Sequence, residues 1–436
     1  MSLSWREPLS VALALRDEPG LVLLESRPGF GDLGRRSYLS AAPSEVRTTG
    51  LADLDSADDG WWAGWLSYDL GRQIERLPRI ARDDTGLPPL ALGRYEAWLE
   101  FDHAARRVAL CGDSSARHLE RALVRAGDEA KQPGPHTPVA GWGSSLERDA
   151  YESAVERAIE YIRAGDVFQV NLSRRLSAAW DDDPFALYSR LRRSSPAPFA
   201  ALVRLGGADL VSASPERFLR RTGKVLETRP IKGTRPRNPD PALDEALARE
   251  LRASAKDKAE NVMIVDLARN DLGRVARFGT VEVTGLWDVE RHPGLHHLVS
   301  EVRAEVGESV SVQDLVRATF PPGSVTGAPK IRALELIDEL EPVRRGPYCG
   351  AIGHFGPGPR LELSVAIRTF VAERGRLHLH AGGAVVADSD PAAEWAETEH
   401  KAARLLAAAG AASLERPEVL IRGPRERSPE PAGAAR

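Results

Sequence analysis

Lys232 stands in the run Pro230-Ile231-Lys232-Gly233-Thr234-Arg235, where proline restricts the backbone and glycine frees it. That pairing predicts a constrained turn rather than a floppy loop. A partly buried lysine amine gives up its proton and becomes a nucleophile. By residue type alone Lys232 reads as a solvated turn residue, because lysines are mostly exposed. Its weight comes from the chemistry-bearing residues that accompany it along the second half of the chain.

Asp257 and Glu260 are three residues apart, and so are Glu394 and Glu397. At helical spacing each pair shares one face. Four carboxylates make a hard-oxygen site suited to Mg²⁺. Taken alone they read equally as two solvated helix faces, and no spacing argument brings the two helices together. Glu216, in Ser214-Pro215-Glu216-Arg217-Phe218, follows an apolar strand. A carboxyl held among apolar neighbours keeps its proton longer and serves as a general acid. Pairing with Arg217 or Arg220 is the alternative.

The loop 320–330, FPPGSVTGAPK, leads into a helix with several backbone N–H groups free for an anion. Residues 381–384, AGGA, close a strand and offer more. Arg368 brings a fork suited to a carboxylate. Turn glycines and a surface cation are the plain alternative. Together these residues point to a small dianionic substrate, a metal and an acid.

Elements must carry these groups. Short strands are predicted at 21–24, 61–68, 94–101 and 107–111, then a helix at 115–130 and a proline-rich break at 131–138. Apolar residues at helical spacing predict a helix at 148–164. Strands at 167–176 and 199–212 flank a helix at 185–193. A helix at 241–268 carries a break near Lys256, and a strand follows at 279–283. Helices at 311–319 and 330–340 precede strands at 350–355, 361–370 and 376–382, and a helix at 391–410 follows. Hairpin-length and helix-length connections both occur, which predicts α+β with large antiparallel sheets rather than a doubly wound parallel sheet. The expected organisation is a β-rich region at 1–138, a second domain at 139–415 and a disordered tail at 416–436.

The 436 residues, 42% hydrophobic and 28% charged, match a soluble globular protein. A net charge of −4 suggests neither nucleic acid nor an anionic membrane as partner. Cys111 and Cys349 cannot build a disulfide framework and imply a reducing cytoplasm. The first residues show no basic stretch followed by an apolar run, so no export signal is expected.

From about residue 145 to 410 the chain resembles the chorismate-utilising enzymes. The resemblance rests on FQVNLS (168–173), SPERFL (214–219), PIKGTRPR (230–237), KDKAENVMIVDLARNDLGRV (256–275) and HLVS (297–300). It continues through 320–342, GPYCGAIGHF (346–355), AIRTF (366–370) and 387–402. It implies a sandwich of antiparallel sheets with helices outside. It assigns Glu260 and Glu397 to Mg²⁺, with Asp257 and Glu394 supporting them. Tyr348, Arg368 and the backbone at Gly382 and Gly383 would hold a substrate carboxylate. Ser324 and Thr326 fall in the substrate loop, Glu216 is the general acid and His297 a further active-site position. The family usually has glycine where this chain has Ala384, which puts a positive φ there in doubt.

Within that family, members that aminate carbon 2 carry alanine at the position of Lys232, and those that aminate carbon 4 carry lysine. Members that hydroxylate carbon 2 place their activating lysine where this chain has Gln169. The resemblance therefore implies amination of chorismate at carbon 4. No nucleophile elbow surrounds either cysteine, so ammonia is expected from a glutamine amidotransferase subunit in a heterodimer. The alternatives are carbon-2 amination, which gives anthranilate, and a non-catalytic chorismate-binding subunit. Glu25 and Ser26, with the aromatic run 60–69, resemble segments that line a tryptophan pocket in relatives. Core aromatics in a strand are the plain reading of the same run.

Overall fold

In the strand Trp61–Leu66 every residue is buried, and its large side chains point both ways. Trp61, Ala63 and Trp65 pack with Val22, Ala201, Val203, Leu210 and Ile352. Trp62 and Leu66 join a separate cluster with Leu219, Val302 and Phe355. A strand buried on both faces belongs to the middle of a layered molecule.

The computed structural model describes residues 2–55, 60–113, 116–126 and 138–411. Among these residues the strands form two antiparallel sheets, of 12 and 10 strands. Tryptophans and aliphatic residues from both fill the layer between them. Helices Pro184–Ser194 and Pro391–Ala408 cover the outer face of the larger sheet. Helices Ala255–Gly273 and Val312–Thr319 cover the smaller one. The α+β expectation with antiparallel sheets agrees with this architecture. Among the described residues no helix is long and apolar enough to cross a membrane.

Both sheets are composite. Val22–Glu25 pairs with Phe199–Leu205 in the larger sheet, and Trp61–Leu66 pairs with Ala351–Phe355 in the smaller. Strands from either side of the boundary expected at residue 138 are thus hydrogen-bonded neighbours in both sheets. Residues 127–137, which hold most of the expected break, and 412–436, which hold the expected tail, lie outside the described residues.

Three expected strands are each two strands. Expected strand 94–101 divides into Leu90–Tyr95 in the smaller sheet and Ala97–Asp102 in the larger. Expected strand 199–212 is a hairpin of Phe199–Leu205 and Ala208–Ser214, turned at Gly206 and Gly207 with φ of 68° and 80°. Expected strand 361–370 is Arg360–Val365 in the smaller sheet and Thr369–Glu373 in the larger. The expected strand at 279–283 is the longer Glu282–His292. Expected helix 241–268 is Pro241–Ala253 and Ala255–Gly273. Ser254 ends the first and caps the second, its Oγ accepting the Asp257 N–H at 3.2 Å.

Candidate active site

Glu216 and Arg368 stand where the chain passes from one sheet to the other. Glu216 follows Ala208–Ser214 of the larger sheet and precedes Arg217–Thr222 of the smaller. Arg368 lies between Arg360–Val365 and Thr369–Glu373, with φ of 52°. The crossings are tied together: the Val365 N–H donates to the Glu216 carbonyl at 3.0 Å, and the Ala213 N–H to the Arg368 carbonyl at 3.1 Å. One carboxyl and one guanidinium are thereby carried on adjoining crossings between the sheets.

Lys232 reaches the same place from a β-bulge, which corrects the expected turn. Edge strand Ile231–Pro236 pairs with Leu295–Glu305, and its register shifts between Ile231 and Thr234. Gly233 has φ of 84°, the conformation such a bulge requires. A Cβ on Gly233 would lie 2.8 Å from Leu251 and 2.9 Å from Asp257. Glycine thus lets the bulge sit against helix Ala255–Gly273, which carries the acidic pair, and the helix before it.

The electrostatics follow from this crowding. Burial pushes the Glu216 carboxyl up to about 7, against the Ser324 hydroxyl, the Lys232 ammonium and the Ile231 N–H. Burial also pushes Lys232 below the ordinary lysine range, against the attraction of Glu260, Glu216 and Glu397. Burial, followed by the nearby Arg368, holds His297 down at about 3, so its ring is neutral at physiological pH. His297 Nδ1 lies 3.2 Å from Thr234 Oγ1. Glu260 is raised by burial, with Lys232 pulling the other way.

The second acidic pair acts on the first through space, Glu397 helping to raise Glu260. Glu394 is buried, one oxygen accepting from Ser389 at 2.7 Å and the other without a protein partner. A Cβ on Gly383 would lie 2.7 Å from that free oxygen and 3.5 Å from Glu397 Oε1. Lys401 Nζ lies 2.5 Å from Glu397 Oε1. Arg235 holds Asp257 at 3.3 Å. Among the described residues no three His, Cys, Asp or Glu side chains are gathered closely enough to hold a metal. Even so, hard oxygen donors and the unpartnered Glu394 oxygen suit a divalent cation in chemistry.

Residues 35–407 match the family described as chorismate binding enzyme. The chain belongs to that family. It is 44% identical to aminodeoxychorismate synthase component 1 of Escherichia coli, over 83% of this chain and 79% of that protein. It is 42% identical to anthranilate synthase component 1 of Streptomyces coelicolor, over 90% and 84%. The crystal structure of anthranilate synthase component I from Streptococcus pneumoniae superimposes with a TM-score of 0.76 at 30% identity, covering 88% of this chain and 93% of that one.

In this chorismate binding enzyme the remaining expected residues lie on several separate elements. Ser324 faces Glu216, and its carbonyl accepts from the Asn171 side chain at 2.9 Å. The Thr326 hydroxyl is fully buried, donating to the Pro322 carbonyl at 2.8 Å and accepting from Tyr68 at 3.1 Å. Tyr348 is buried with its ring stacked on His380 at 4.6 Å. Gly382 and Gly383 lie inside strand Arg376–Val385, not at its close, opposite Ser173 and Leu172. Thr369–Glu373 pairs with that strand only as far as Leu379, so from residue 380 on it is not paired with Thr369–Glu373. Ala384 pairs with Asn171 and has no positive φ, so alanine fits there without strain.

Glu25 and Ser26 sit apart from these groups, at a cavity of about 510 Å³ between the sheets. Glu25 is fully engaged, accepting from Tyr188 and Arg192 at 2.6 Å each. Ser26 donates to the Pro198 carbonyl at 2.5 Å. Tyr38, His354 and Arg217 share the cavity wall, and Arg217 is the residue after Glu216.

The reading from residues overlooked Lys401 and the buried Glu341–Arg345 pair at 2.6 Å, which braces Ser173. Lys401 carried a signal, four residues after Glu397 on one helix face.

Proposed function

We propose that this chorismate-utilising enzyme aminates carbon 4 of chorismate, giving 4-amino-4-deoxychorismate, and that Lys232 carries the reaction covalently. The observation behind this reading is the Lys232 amine, desolvated and facing a carboxyl that keeps its proton to about pH 7. The neutral amine adds at carbon 2 while the carbon-4 hydroxyl leaves as water, protonated by Glu216. Ammonia then adds at carbon 4, the carbon-2 bond to Lys232 breaks, and the lysine regains its electron pair. Chorismate and ammonia thus become product and water. Arg368 holds a substrate carboxylate through its fork. Gln169, fully buried with neither side-chain polar atom partnered by protein, stands where a water-activating lysine would be needed for hydroxylation.

Glu260 and Glu397 would hold Mg²⁺, with Asp257 and Glu394 beside them; the ion would neutralise the ring carboxylate. Burial keeps the Cys349 thiol up at about 12, so it is no amidotransferase nucleophile. The Escherichia coli relative is named as a first component, and on this reading a glutamine amidotransferase subunit supplies ammonia here in the cytoplasm. The 42% identity to an anthranilate synthase component over 90% of the chain favours carbon-2 amination as the second reading.

Product identification separates them. The purified chain receives chorismate, Mg²⁺ and ammonium, and the products are resolved by liquid chromatography and mass spectrometry with and without a 4-aminodeoxychorismate lyase. An amino-chorismate that the lyase converts to 4-aminobenzoate is the expected result. Anthranilate would replace this reading with the second, and no turnover, even with an amidotransferase present, would leave a binding subunit.

A further inference from the structure

Glu394, Glu397 and Lys401 lie at i, i+3 and i+7 of the helix Pro391–Ala408, on one face. Lys401 Nζ bridges that helix to the neighbouring strand. It lies 2.5 Å from Glu397 Oε1 and donates to the Gly382 carbonyl at 2.8 Å. The next residue, Gly383, is the one whose missing side chain leaves room for Glu394 and Glu397. The ammonium thus lies on the helix face that carries both carboxylates and ties it to the strand beside them.

The other cations there are placed differently. Lys232 and Lys256 act on Glu260 and Glu397 through space, without an ion pair to either. Arg235 is taken by Asp257. Burial would raise Glu397, yet Lys401, in contact with it, and Lys232 and Lys256 farther off together hold the carboxyl below its ordinary range. The Lys401 side chain is 51% exposed and Glu397 47%. An ion pair that open to water is weak and exchanges readily. Glu394, buried with one oxygen unpartnered, feels Lys401 only through space and receives no hydrogen bond from it. A single ammonium satisfies one carboxylate of a group that a divalent cation would serve together.

We propose that Lys401 is a resident cation, holding Glu397 in the metal-free protein and displaced when Mg²⁺ enters, so that lysine and metal compete for one carboxylate. The inference rests on the metal assignment proposed above for Glu260 and Glu397. It adds that the protein's own lysine sets how tightly the ion binds.

The test is calorimetric titration of the full chain with MgCl₂ alone, without substrate, at low ionic strength. Lys401→Met removes the competitor and is expected to lower the Kd for Mg²⁺ about fivefold, the order expected for removing one like charge at close range in a solvated site. Lys401→Arg keeps the charge and should bind no more tightly than the parent. Lys401→Gln, read the same way, replaces the methionine variant if that one unfolds. A Kd in the neutral variants equal to or weaker than the parent's overturns the competition. If the parent's binding is abolished by Glu397→Gln yet unmoved by Lys401→Met, the competition fails and the metal site stands. If neither the parent nor Lys401→Met binds Mg²⁺, both fail.

Discussion

At the scale of single residues, Glu216 and Lys232 share one pair of protons. Below about pH 7 Glu216 and Lys232 are both protonated, and a protonated lysine cannot attack. Above it one proton remains in the pair, enough for Glu216 to protonate the departing hydroxyl while Lys232 attacks. At a higher pH, below the ordinary lysine value, the last proton leaves and the acid is lost. A bell-shaped kcat/KM follows, with an acid limb near pH 7; a flat profile between about pH 5 and 10 would dismiss the pairing. Lys232→Ala is expected to lower 4-amino-4-deoxychorismate formation by about a hundredfold or more, with anthranilate appearing among the products. Unchanged product and rate would dismiss the covalent role. Residue types made these side chains candidates, and the resemblance to the chorismate-utilising enzymes gave them their roles. Their protonation was not legible, because the burial behind it comes from elements far away in sequence. The Glu216 carboxyl answers to Ser324, more than a hundred residues on.

At the scale of elements, helices were the legible part. Arg148–Arg163 and Lys330–Leu340 repeat apolar residues at helical spacing, and their ends fall close to the expected positions. The hairpin Arg217–Thr222 and Val225–Arg229 was not legible. Its charged residues look solvated but pair across the sheet, Arg217 with Glu227 at 2.5 Å and with Glu362 at 2.7 Å. The Lys232 bulge was equally hidden, since proline and glycine signal a turn as readily as an irregular edge strand. Gly233→Ala tests the bulge. It introduces a positive-φ side chain against Leu251 and Asp257, and is expected to cost about 1–3 kcal/mol in urea unfolding while lowering kcat through misplacement of Lys232. A variant with parental stability and kcat would mean that the bulge is not needed to aim the amine.

At the scale of the whole molecule, the two sheets interleave the halves of the chain. Val22–Glu25 and Trp61–Leu66 cover one edge each of Phe199–Leu205 and Ala351–Phe355, strands whose residues are almost all buried. A fragment of residues 139–436 would expose both edges and half of the layer between the sheets. It is expected to aggregate or to melt without a cooperative transition in circular dichroism. A soluble fragment with a sharp melt would show that residue 138 is a true domain boundary. The sequence by itself determined the family, the α+β class and the residues able to act as acid, amine and carboxylate ligands. Those depend on side-chain type and local spacing, which are read along the chain. Only the tertiary structure decided that Glu216 and Arg368 meet at the crossings between sheets, that Lys232 arrives on a bulge, and that Lys401 reaches the Gly382 carbonyl. Those placements come from backbone hydrogen bonds and packing between strands and helices distant in sequence, which no local pattern encodes.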